Sequence, residues 1–281
     1  SSGDVEKVLL GTILAKSISM RDQQPLSDHE FKVFSQWGED GIIQFLLKKV
    51  DLQEKTFIEF GVETYREANT RFLLMHDNWS GLVIDGSKSN IDAIVSQSIY
   101  WRYSVKAVQS FITAENIDKT ITENNMSDEI GILSVDIDGN DYWVLKAIES
   151  VKPAILITEY NSVFGCERAI SIPYSPDFVR GQSGVSNLYY GASLQALTIL
   201  AEKKGYSLVG CNSSGNNAFF VRNDKLKDLA PVEVREAFVD AKFREAKDRN
   251  GNLLFLEGRE RYEEMKGLPV VNVITNEVEF L

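Results

Sequence analysis

A strand, a glycine turn, a helix and a second strand ending in an acid follow one another within residues 56–87, and this succession restricts the fold more than any other stretch of the chain. TFIEFGVE (56–63) is a β-rich run that breaks at Gly61. In residues 69–78, Phe72, Leu73, Met75 and His76 recur at helical steps. GLVIDGS (81–87) returns to an apolar run and stops at Asp85. This is the pattern of a βαβ unit that binds a nucleotide. Gly61 lets the backbone turn sharply and approach a ligand, and Asp85 stands at the strand tip, where an acid takes ribose hydroxyls.

The rest of the chain extends the same alternation. Strands are predicted at 103–108, 131–138 and 153–161, and helices at 89–97, 115–124, 141–150 and 193–204. Ser193 caps the last of these helices and Gly205 closes it. Residues 206–212 and 217–222 flank Ser213, Ser214, Gly215 and Asn216, which signals a hairpin. Alternating strands and helices imply a doubly wound parallel sheet, to which the hairpin adds one antiparallel strand. Ahead of the central unit, residues 4–20 predict an amphipathic helix burying Val5, Val8, Leu9, Thr12 and Ile13. A polar link with Pro25 covers residues 21–30. Residues 34–50 read as a loop and then a helix that turns Ile42, Ile43, Leu46 and Leu47 inward. Of the polar cluster before that helix, Asp40 reads as a cap and Gln36 as a candidate ligand contact. Residues 223–281 add charged helical segments and a β-like run at 270–274.

Composition excludes several classes of function. A net charge of −11 argues against a general nucleic-acid surface, which needs clustered Lys and Arg. No run approaches the roughly 18 apolar residues of a membrane span, and residues 7–15 lack signal-peptide flanks. Cys166 and Cys211 read as reduced structural thiols, which places the protein in the cytoplasm. His29 and His76 read as structural.

The turn at residues 61–66 holds one glycine and Glu63, with Glu67 close behind, so it would repel the pyrophosphate of a dinucleotide. S-Adenosylmethionine has no phosphate and carries a sulfonium and an amine, so an acidic loop suits it. With FSQWGEDGII (34–43), FIEFGVE (57–63), EANTRFLL (67–74), LVIDGS (82–87), SVDIDGNDYWVL (134–145) and ITEYNSVFG (157–165), the chain resembles class I S-adenosylmethionine-dependent methyltransferases, and within them the FkbM-like group. The resemblance implies a Rossmann-like α/β fold, a doubly wound seven-stranded sheet with the last strand antiparallel. It implies cofactor contacts at Glu59, Gly61 and Asp85. Gln36, Glu63, Asn69, Thr70, Ser87 and Asp136 complete the expected cofactor set. The expected organisation is an N-terminal helical extension (1–50), a cofactor-binding core (51–222) and a C-terminal extension packed on the core (223–281).

Acids gather beyond the fourth and fifth strands: Asp136, Asp138, Glu159 and Asn161 offer hard oxygen ligands suited to Mg2+. A coordinated cation would acidify an acceptor hydroxyl and orient it. By similarity to metal-dependent sugar and catechol O-methyltransferases, Asp136, Glu159 and Asn161 match the metal ligands and Asp138 the catalytic base. The competing reading is that Asp136 and Asp138 contact the cofactor or cap the next helix. Residues 160–192, with their aromatics, Arg168 and Arg180, are the expected acceptor side. Aromatic faces stack on sugar rings there, and arginine forks grip phosphates. The function expected is an O-methyltransferase acting on a sugar or nucleotide-linked sugar of polysaccharide biosynthesis, with an oligomer compatible with the chain. The alternatives are a metal-independent methyltransferase on another small molecule and a non-catalytic protein of the same fold.

Overall fold

The computed structural model describes residues 2–18, 25–124, 126–183 and 186–281. Seven strands form one sheet: β1 (Thr56–Phe60), β2 (Ser80–Asp85), β3 (Val105–Gln109), β4 (Glu129–Val135), β5 (Lys152–Glu159), β7 (Tyr206–Cys211) and β8 (Asn217–Arg222). Their order is β3-β2-β1-β4-β5-β8-β7. The pairs within β3-β2-β1-β4-β5 are parallel, and β8 is antiparallel to both β5 and β7. This is the Rossmann-like sheet expected from the sequence, with the last strand reversed and lying inside the edge strand.

Both faces of the sheet are covered, which is why its strands read as near-continuous apolar runs. Along β1, Phe57 turns to one face while Ile58 and Phe60 turn to the other. The Phe57 face packs on Ile42, Ile43 and Leu46 of α2 (Glu39–Lys49), Leu73 and Leu74 of α3 (Arg71–His76), Ile91 and Ile94 of α4 (Lys88–Ser96), and Ile99 of α5 (Ser98–Arg102). The Ile58 face packs on α6 (Ile117–Glu123), α7 (Asp141–Ala147) and α8 (Leu194–Lys203). Full burial of each such side chain stabilises the fold by about 1.5–3 kcal/mol. Ser193 caps α8 through the Ala196 N–H, as its position predicts.

Helix α1 (Ser2–Ile18) departs from the expected stripe: Val5, Leu9 and Ile13 are 59%, 60% and 65% exposed. It docks by a side that carries Gly11 and Ala15, because a Cβ at Gly11 would lie 2.7 Å from Val33 Cγ2. Close approach on the small side leaves the bulkier side outward. Residues 19–20 of that predicted helix and 21–24 of the polar link lie outside the described residues.

A second sheet was legible in the sequence only as the β-like run at 270–274, which overlaps its central strand. Strands β6 (Ile170–Ser171), β9 (Pro269–Asn272) and β10 (Val278–Phe280) pair in the order β10-β9-β6. Around them Phe164, Ile172, Leu188, Tyr189 and Met265 form a separate core. Much of the expected acceptor stretch is therefore packed against the C-terminal segment. Tyr160 donates to the Val239 carbonyl at 2.8 Å, Tyr189 donates to Pro269, and Arg168 pairs with Glu279 at 2.7 Å. Gly184 and Val185 of that stretch lie outside the described residues.

Candidate active site

Strand order reverses between β1 and β4, and in open α/β sheets ligands bind outside the carboxyl ends of the strands at that reversal. Gly61 follows β1 at this point with φ +68°. A Cβ there would fall 1.9 Å from the Asp136 carbonyl oxygen. Gly61 is therefore needed for the approach of two protein backbones as well as for the turn.

Glu59, on β1, is 5% exposed. Its carboxylate accepts from the Asn69 N–H (2.8 Å), the Thr70 N–H (3.0 Å) and the Thr70 hydroxyl (2.5 Å). Burial outweighs these bonds and pushes its carboxyl up to about 7. Asp85, at the end of β2, accepts from the Glu63 N–H (2.8 Å), the Ser87 N–H (2.8 Å) and the Asn90 side chain (2.9 Å). A carboxylate has about four acceptor sites, so about one is left for a ribose hydroxyl.

Strand β4 ends at Val135, and the chain turns at once. Asp141 accepts from the Ile137 N–H at 2.8 Å and the Gly139 N–H at 2.9 Å, which folds residues 137–141 into a tight loop. Asp138 takes φ +56° in that loop. The alternation of a strand no longer applies, so Asp136 and Asp138 converge with Glu159 on one spot. One carboxylate oxygen from each lies within 4.8 Å of the others. The Glu159 Oε2 is buried without a hydrogen-bond partner. Burial and the neighbouring acids Asp136 and Asp138 push the Glu159 carboxyl well above its usual range, and burial and Asp138 do the same for Asp136. Three converging acids with an orphaned oxygen fit a hard divalent cation. Arg180 faces the cluster, with ion pairs to Asp138 at 2.5 Å and Glu245 at 2.6 Å, and lies on the Tyr190 ring.

Two adjoining cavities open at this edge. One, of about 390 Å³, is lined by Asp85, Gly86, Ser110, Phe111, Ile112 and Asn140. The other, of about 420 Å³, is lined by Gln36, Trp37, Glu59, Asn69, Glu159 and Asn216. Gly61, Glu63, Asp136, Asp138 and Arg180 border both.

Three expected site residues are placed elsewhere. Asn161 is not a metal ligand: it is 1% exposed and its amide donates to the Leu188 and Tyr190 carbonyls while its oxygen accepts from the Val163 N–H. Thr70 is fully buried and spends both donors on Glu59, so it orients that acid instead of meeting a ligand. Ser87 caps α4 and donates its N–H to Asp85 from behind. Asp40 is not the expected cap: α2 starts after Gly38 without a side-chain cap, and Asp40 instead gathers the N–H groups of Val33, Phe34 and Ser35 in the preceding loop.

Trp37, Asn216 and Asn217 line the second cavity and escaped the sequence reading; Glu39 is buried behind them. Glu39 joins the loop of Gln36 and Trp37 to the hairpin by accepting from the Trp37 N–H at 2.9 Å and from the Asn212 and Asn217 amides at 2.7 and 2.8 Å. Phe243, Arg244 and Glu245 reach the second cavity from the C-terminal segment. The acid Glu39 beside Trp37 in FSQWGED was a signal for the first group; no local signal marks the second.

No protein-family model matches the chain, and no curated protein matches it. Among solved structures, it is similar to the N-terminal domain of EvdMO1 with SAH bound, at 14% identity over 59% of this chain and 72% of that one, with a TM-score of 0.39. It is similar to an S-adenosylmethionine-dependent methyltransferase from Clostridium acetobutylicum ATCC 824 at 11% identity, 66% and 90% coverage and a TM-score of 0.41. It is also similar to an O-methyltransferase from Bacillus cereus in complex with SAH, at 13% identity, 78% and 89% coverage and a TM-score of 0.41. These likenesses are loose, and the fold assignment rests on the strand order and pairing of the sheet itself.

Proposed function

We propose that the chain is an S-adenosylmethionine-dependent O-methyltransferase acting on a sugar hydroxyl. The observation that carries this reading is the pair of cavities that meet at Gly61 and Asp136, one beside Asp85 and the other beside Glu59 and the acid cluster. The Asp85 cavity suits an adenosine, with the ribose on Asp85 and the base among Phe111, Ile112 and Gly86. The methionyl end then enters the other cavity, where Glu59, Glu63 and Asn69 offer acceptors to its amine. When bound, S-adenosylmethionine supplies a methyl group on a positively charged sulfur.

The acceptor hydroxyl is placed by the same cavity, whose Gln36 side chain can orient a polyol. Asp136 and Glu159 would hold a divalent cation, which when bound would lower the pKa of the hydroxyl. Asp138, whose side chain is 60% exposed, takes the proton and passes it to solvent. The free thiols Cys166 and Cys211 suit a reducing compartment. Among the described residues no helix is long and apolar enough to cross a membrane.

Calorimetry tests the reading. S-Adenosylmethionine should bind the full chain, and Asp85→Ala should weaken binding by about 1.5–3 kcal/mol per charged hydrogen bond lost. Unchanged affinity in a folded Asp85→Ala protein would remove the ribose role from Asp85.

A further inference from the structure

The cavity beside Glu159 has a wall that the cofactor does not need. Trp37 and Phe243 stack there with ring centroids 5.5 Å apart and planes 17° from parallel. With one face against Phe243, Trp37 is still 42% exposed. Both rings sit on tethered backbone. Glu39 accepts from the Trp37 N–H, and the Ala241 N–H donates to the Ser162 hydroxyl at 3.1 Å. Gly215 packs so tightly on this segment that a Cβ would lie 2.7 Å from the Val239 carbonyl oxygen. An ordered aromatic pair beside amide side chains suits a sugar ring, whose C–H face packs on the aromatics while its hydroxyls meet the amides.

Charge narrows the choice of sugar. Both guanidiniums on the cavity are already paired: Arg180 with Asp138 and Glu245, and Arg244 with Glu257. The other charged groups lining it, Glu59, Glu63, Glu67, Asp136 and Glu159, are all acids. With both arginines held in ion pairs to acids, this wall presents a phosphate or carboxylate with no uncompensated positive side chain. Resting on the methyltransferase reading, we infer that the Trp37–Phe243 wall is the acceptor subsite, and that it takes a sugar ring bringing no phosphate or carboxylate into the cavity. A nucleotide-linked acceptor would keep its diphosphate outside.

Saturation-transfer NMR on the full chain with SAH bound tests this with methyl glucoside, glucosamine, glucose 1-phosphate and glucuronate as probes. Methyl glucoside and glucosamine should bind at least about tenfold more tightly than the two anionic sugars. Trp37→Leu and Phe243→Leu should abolish the sugar signal while calorimetric SAH affinity stays within about twofold, since only the wall is changed. Tighter binding of the anionic sugars, or no sugar bound by a protein that binds SAH, overturns the inference and leaves the methyltransferase reading standing. Sugar binding that survives in both variants removes the wall as the subsite. A wild-type chain that does not bind SAH removes both.

Discussion

Strands β1 and β5 each carry a buried glutamate near the ligand edge of the sheet, and the two are treated in opposite ways. Glu59 on β1 has its oxygens engaged by Asn69 and Thr70. Glu159 on β5 faces Asp136 and Asp138, and its Oε2 has no partner. Both are acids that burial makes reluctant to ionise. The first has been given donors that fix its shape, and the second has been left with acceptor capacity that only a cation, a proton or a ligand can use. The residue type and strand position are alike, so the role is set by what the neighbouring loops bring to the carboxylate.

The largest test of that contrast is at the β5 end. Asp138→Asn and Glu159→Gln should each lower turnover on the order of 10²–10⁴ while leaving the fold intact, because one removes a proton acceptor and the other an oxygen ligand. Glu159→Gln also removes like-charge repulsion, so its melting temperature should equal or exceed that of the wild type. Excess chelator should abolish turnover and Mg2+ should restore it. Turnover undiminished by chelator would take the cation out of the proposal and leave Asp138 as the base.

At the β1 end, Glu59→Ala should destabilise the fold by about 3 kcal/mol, read from denaturant unfolding, because the Thr70 N–H and hydroxyl lose their acceptor in a buried site. If Glu59→Ala and Glu159→Gln have equal stabilities, the distinction between the two ends fails.

A smaller effect is expected with pH. Burial raises Glu59 to about 7 from 4.5, and raises Asp40 and Asp141 to about 6 from 3.8. In each case the folded state holds a proton that the unfolded state releases first. The resulting stabilisation is full below the unfolded values and is lost as pH rises through 6 to 7. Unfolding free energy should therefore fall as pH rises from about 5 to about 8. A rise over that range would mean that the hydrogen bonds to these acids outweigh their burial.

The smallest effect belongs to Arg168, read in the sequence as a grip on phosphate and found paired with Glu279 far from both cavities. Arg168→Ala should change stability by about 0–1 kcal/mol and leave cofactor affinity unaltered by calorimetry.

The order of strands and helices along the main sheet was legible in the amino-acid sequence because it is written in local periodicity and punctuation. Apolar runs ending in acids give parallel strands buried on both faces, Gly61 marks the turn after the first, and Ser193 marks the start of α8. The same signals pointed to Glu59, Asp85, Asp136, Asp138 and Glu159, since a strand's carboxyl end can be read from where its apolar run stops. Whether an acid there is saturated or open cannot be read that way. Asn161 and Thr70 matched a pattern but spend their hydrogen bonds within the protein, on partners that for Asn161 lie at Leu188 and Tyr190. In the second sheet only β9 was foreshadowed, by the run at 270–274; β6 and β10 are too brief to show a period, and the wall made by Trp37 and Phe243 joins residues from the two ends of the chain. Local sequence determined the scaffold and its acidic edge. Tertiary contacts alone decided which of those acids keep free oxygens, because that depends on donors delivered by distant segments.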